Sequence, residues 1–86
     1  MPTISAFYGI TIRMYWNDHA PPHFHVRHGA VRAVIDIRTL ALVRGRLSGR
    51  ALALVLEWSA MHRQELLENW DRCAKGRAPK GIRPLE

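Results

Sequence analysis

The sequence predicts an α+β domain, an antiparallel sheet of three or four strands (a β-meander) with one long C-terminal helix packed on one face. Two patterns carry that prediction. Between residues 10 and 43 apolar side chains return at every second position, the period of a strand with one face buried. From Ser48 to Lys75 they return every third or fourth position, the period of an amphipathic helix. The two periods agree on one shared core, which 86 residues are long enough to build as a single domain.

The segment Met1 to Tyr8 carries Ile4 and Phe7 in a small or polar setting and is closed by Gly9, so it reads as a short first strand or an ordered arm. In the next segment Ile10, Ile12, Met14 and Trp16 fall on one face and Thr11, Arg13 and Tyr15 on the other, which predicts a strand over Ile10–Trp16. Asn17-Asp18-His19-Ala20-Pro21-Pro22 then reads as a stiff loop, because Asn and Asp bond back to following amides and each proline fixes φ. Beyond it Phe24 and Val26 alternate with His23, His25 and Arg27, placing the two imidazoles and the guanidinium together on the outward face.

His28-Gly29 reads as a two-residue hairpin connection. The implied register sets Arg27 opposite Ala30, Val26 opposite Val31, His25 opposite Arg32 and Phe24 opposite Ala33, so apolar meets apolar and polar meets polar. Val31, Ala33, Ile35 and Ile37 continue the core face while Arg32, Asp36 and Arg38 point away, and Thr39 to Val43 is a fourth short strand or a bend.

Ser48 is the expected N-cap, with Leu47 and Leu52 spaced as a hydrophobic staple. A helix of roughly seven turns then runs to Ala74-Lys75, where Gly76 ends it. Leu52, Val55, Leu56, Ser59, Leu66, Leu67, Trp70, Cys73 and Ala74 make the stripe predicted to cover the sheet. Residues 76–86 form a basic tail in which Ile82 or Leu85 is placed to dock.

Composition narrows the function. No run of 18 apolar residues and no charged-then-apolar N-terminus is present, so neither a membrane span nor secretion is indicated and a cytoplasmic protein is expected. The lone Cys73 has no partner for an internal disulfide and sits at helical spacing among apolar neighbours, the pattern of a core residue rather than a nucleophile. The net charge of +6 is uneven: residues 1–50 hold seven arginines, no lysine, and only Asp18 and Asp36 as acids. Arginine without lysine favours planar, multidentate contacts to phosphate or carboxylate. Arg13, Tyr15, Arg27 and Arg32 are the candidate nucleic-acid-binding residues, cations and a stacking ring on one sheet face.

The histidines admit three readings. His19, His23 and His25, at H-x3-H-x-H spacing, are placed to bring three nitrogens to one divalent metal, with Asp18 as a fourth ligand or an acceptor behind them. The same three residues beside arginine supply the acid, base and charge stabilisation that a metal-independent ribonuclease needs at a 2′-OH. The third reading leaves His19 and His23 locking the Pro-Pro loop and His25 solvated. On the helix, Leu54, Trp58 and Met61 project about 60 to 180° from the core stripe. Either the tail or the N-terminal arm folds over them, or they form a protein interface with a second copy or a cognate partner.

The strings MPTISAFYGITIRMYWNDHAPPHFHV, ALALVLEWSAMHRQELLENW and IRPL closely resemble the bacterial family called domain of unknown function 4160, with DHAPPHFHV the most specific of them. The resemblance covers almost the whole chain. It implies a component of a toxin–antitoxin-like pair, whose cognate partner is a small protein resembling domain of unknown function 2442. Arg27, His28, Arg38 and Arg44 depart from that family's usual residues, so the strong basicity is this member's own.

Overall fold

The computed structural model of the protein describes residues 2–86; Met1 lies outside them. Five strands, β1 (Thr3–Phe7), β2 (Ile10–Arg13), β3 (His23–His28), β4 (Val31–Asp36) and β5 (Leu42–Gly45), form one sheet in the order β1-β2-β3-β4-β5 with every neighbouring pair antiparallel. The meander is thus the expected one with one or two more strands, because both ambiguous segments, Thr3–Phe7 and Leu42–Gly45, pair at the sheet edges. β2 is shorter than expected: it ends at Arg13, Met14 still enters the core, and Trp16 lies exposed with its indole N–H donated to the Arg77 carbonyl.

In β2, β3 and β4 the apolar residues keep the face that alternation assigns them, but His23 and Asp36, expected outward, are buried at 8 % and 7 % exposure. Ile10, Ile12, Phe24, Val26, Ala33 and Ile35 are buried on the inner face, whereas Arg13, His25, Arg27 and Arg32 pair across the outer one. The register of the β3–β4 hairpin differs by two residues from the one the sequence suggests. Gly29 and Ala30 form the turn, and Val26 faces Ala33, Arg27 faces Arg32 and His25 faces Val34. Gly29 has φ 63 at the first central position, which is what a type II′ connection requires and what Gly supplies without a clash. A shift of two leaves every side chain on its own face, so apolar alternation cannot distinguish the two pairings.

Ser48 caps helix α1 (Gly49–Met61), its hydroxyl accepting the Ala51 amide at 3.1 Å. The expected single helix is interrupted at His62 and resumes as α2 (Arg63–Ala74). Buried Ser59 donates its hydroxyl to the Val55 carbonyl one turn back, a contact that bends helices, three residues before the break. Helix α2 ends as Gly76 predicts, with the Gly76 amide on the Cys73 carbonyl and the Arg77 amide on that of Arg72, the paired bonds of a Schellman motif.

The helical seam is rotated by roughly 70° from the expected stripe, at 100° per residue. It runs through Ala51, Val55, Trp58, Ser59, Leu66, Asn69 and Cys73. Trp58 is fully buried, its ring against Phe7 and Phe24 at centroid distances of 5.4 and 6.0 Å, while Trp70 is only half-buried. Leu54, Trp58 and Met61, left between cover by the tail or arm and a protein interface, do not form an exposed patch: Trp58 is buried and bonded to the tail at Arg83, Leu54 packs on the core's edge, and of the three only Met61 is exposed.

The tail makes the difference. Arg83 accepts the Trp58 indole N–H at 2.9 Å, Asn69 exchanges two bonds with the Lys80 backbone, and the amide of buried Ile82 reaches the Ile4 carbonyl on β1. Ile82 thus docks as the sequence suggests, and the apolar surface it adds draws the seam toward Trp58.

Candidate nucleic-acid interface

Among the described residues, none from either helix lines the basic centre of the sheet's outer face. There Arg13, Tyr15, Arg27 and Arg32 line one concavity of about 550 Å³, joined by His25 and Arg44. All four residues expected to meet nucleic acid are brought together. The reason is local: Arg13 lies opposite His25, Arg27 opposite Arg32, and Val34 carries the face across to Arg44 on β5. Arg44 is not among the expected residues, because it stands two beyond Leu42, which packs on the core, so alternation would turn it inward; the irregularity in the β4–β5 register, which sets Arg44 opposite Val34, brings it to the outer face.

No acidic residue lines the concavity, and among the described residues none of its four arginines is ion-paired. The Nε of Arg13 is shielded and has no hydrogen-bond partner there, and Arg27 spends its Nε on the Gly29 carbonyl. Two guanidinium groups directly opposite across a ladder repel each other. Such an arrangement has unsatisfied donors and excess positive charge at one place, and a planar fork suits phosphate oxygens. The floor depends on Gly45, whose φ is 77 and whose Cβ, if present, would stand 2.1 Å from the Arg32 carbonyl oxygen.

Beside the arginines lies a second cluster. The β2–β3 loop folds back so that Asp18 Oδ2 stands 2.9 Å from His23 Nε2 and 3.1 Å from His25 Nε2, and its Oδ1 accepts the His19 amide. The expected three-histidine set is not formed, since the His19 side chain is 87 % exposed and only approaches Oδ1 at 3.3 Å. Asp18 takes its place, and the three donor atoms of Asp18, His23 and His25 lie within 4.8 Å of one another. A loop side chain has no period to read, so only its adjacency to His19 pointed to Asp18. Burial pushes the Asp18 carboxyl up, but the imidazoles of His25 and His23 set against it and the His19 amide outweigh that and hold the group below the usual carboxylate value.

Both imidazoles are held by rings: Tyr15 meets His25 edge-on at 4.4 Å and Trp70 meets His23 at 5.0 Å. His62 and Cys73 serve packing. His62 lies against Trp58 and bonds Glu65 at 2.6 Å, and Cys73 is buried, its thiol pushed up by desolvation, which suits a core residue and not a nucleophile.

Among the described residues no helix is long and apolar enough to cross a membrane. Neither a curated protein nor a solved structure gives a significant match to the chain. A family model described as domain of unknown function (DUF4160) matches residues 9–71, from the turn before β2 through most of α2, and the chain belongs to that family.

Proposed function

We propose that the protein is a small nucleic-acid-binding component of a bacterial toxin–antitoxin-like two-protein module, and that it binds through the outer face of its sheet. One observation carries the binding: four arginines, a tyrosine and a histidine line a single concavity that, among the described residues, has no carboxylate. Phosphates account for the charge, and Tyr15 and His25 offer faces on which an unpaired base can stack, which favours a single strand over a duplex. The two-protein setting rests on the family likeness alone.

Fluorescence anisotropy with labelled single-stranded RNA and DNA oligonucleotides tests the reading. With about 0.7 counterion released per neutralised phosphate, four contacts give a log K against log salt slope of about −3. Replacing both Arg27 and Arg32 by Ala should bring the slope to about −1.4 and weaken binding at every sequence alike. A chain that binds neither oligonucleotide at low salt, or a double variant that binds as before, would refute the reading.

A further inference from the structure

We propose that Asp18, His23 and His25 bind one divalent transition-metal ion, with Zn2+ the best match to the donors. The argument begins at His23. Its Nδ1 lies 2.7 Å from the Pro21 carbonyl oxygen, which can only accept, so Nδ1 carries a proton. In the neutral ring Nε2 is then a bare lone pair, and it faces a carboxylate oxygen at 2.9 Å. Two acceptors at that separation repel unless a cation lies between them.

A second proton on His23 would satisfy that one contact. A metal ion satisfies more, because the same Oδ2 also faces His25 Nε2 at 3.1 Å. Ligands held about 2.0–2.1 Å from a tetrahedral Zn2+ stand roughly 3.3 Å apart, so the two carboxylate–imidazole spacings need open by only a few tenths of an ångström, while the two imidazole nitrogens lie within 4.8 Å of each other. An Nδ1–H to carbonyl bond is also the usual support of a metal-bound histidine, fixing the ring with Nε2 outward.

The site is built in advance of any ion. His23 and His25 share one face of β3, Trp70 and Tyr15 hold their rings, and the His19 amide occupies Oδ1 of Asp18 and leaves Oδ2 free for the metal. Two imidazole nitrogens with one carboxylate oxygen suit Zn2+ over Mg2+ or Ca2+, and three protein donors leave a tetrahedral ion one position for water. His25 also lines the arginine concavity, so the ion stands beside the anion-binding face.

The test uses full-length chain without an affinity tag, stripped with chelator, then titrated with ZnCl2 by calorimetry and with CoCl2 by visible absorption. The expected result is one ion per chain, a raised thermal midpoint and the intense visible bands of low-coordinate cobalt. His25→Asn and Asp18→Asn should each weaken Zn2+ binding by more than about 100-fold, beyond the about 10–100-fold that loss of a merely supporting contact costs. His25 is partly exposed, so thermal unfolding of the metal-free variant shows directly that it folds. His19→Ala should leave the isotherm unchanged. No saturable binding, or binding that survives His25→Asn and falls with His19→Ala, overturns the proposal. Replacing Arg27 and Arg32 together should weaken oligonucleotide binding and leave Zn2+ binding intact, so the two proposals fail separately.

Discussion

The two faces of the same five strands follow opposite rules. On the inner face Ile10, Ile12, Phe24, Val26, Ala33 and Ile35 are at most 2 % exposed, and Trp58 closes over them. The side chains there contribute area and shape. On the outer face Arg27 stands opposite Arg32, and Arg13 and Arg44 lie in the same concavity without an acid among them. A face that only needed to stay wet would intersperse the two signs. The contrast teaches that stability is concentrated on one side and that the other gives some up for binding, which makes the comparison testable by substitution.

The largest effect belongs to the inner face. Trp58→Ala should cost about 3–5 kcal/mol in urea or thermal unfolding, since it leaves a large cavity between Phe7 and Phe24 and orphans the Arg83 carbonyl. Trp70→Ala should cost about 1–3 kcal/mol, because that ring is half-buried and its removal exposes little more than one side of His23. Equal losses would mean that the helical seam is centred between the two tryptophans and not on Trp58.

That ordering is the reverse of what the helical pattern alone suggests, and the reason is instructive. Periodicity finds the face of a helix to within about a quarter turn, but the exact centre depends on everything that covers it. Here the tail covers part of it: Ile82, Arg83 and Lys80 engage β1, Trp58 and Asn69, contacts that no local pattern encodes. Period-2 alternation similarly placed Phe24, Val26, Ala33 and Ile35 inside and His25, Arg27 and Arg32 outside, yet was blind to a two-residue change of register. Caps were legible because they are local: Ser48 and Gly76 act within four residues. The histidine cluster was half legible. His23 and His25 followed from their strand, whereas the choice of Asp18 over His19 depended on the path of a nine-residue loop between Arg13 and His23.

A middle-sized effect joins the two faces at Gly45. Its positive φ and the closeness of Arg32 O mean that Gly45→Ala must shift β5 away from β4, with a strain of about 1–3 kcal/mol. Arg44 moves with β5, so the salt slope for oligonucleotide binding should lose about 0.7, one phosphate contact, while Arg13, Arg27 and Arg32 keep theirs. Gly81→Ala, where an added Cβ meets open space, is the control and should change neither reading. A destabilised Gly45→Ala chain with an unchanged slope would remove Arg44 from the binding face.

The smallest effect has the opposite sign. Arg32→Thr should raise stability by about 0.2–1 kcal/mol, because it removes one member of a like-charge pair and puts a good strand former in its place. The gain should be largest at low salt and shrink as the screening length falls from about 30 Å at 0.01 M to about 10 Å at 0.1 M. Arg38→Thr makes the control: Arg38 is exposed and its Nε lies 3.9 Å from the Asp36 carboxylate, so no repulsion is relieved and no gain is expected. Oligonucleotide binding should weaken in Arg32→Thr under the same conditions, giving a variant that is more stable and less able to bind. A loss of stability in Arg32→Thr at low salt would show that packing of the arginine stem along the sheet outweighs its charge, and the outer face would then be ordinary surface.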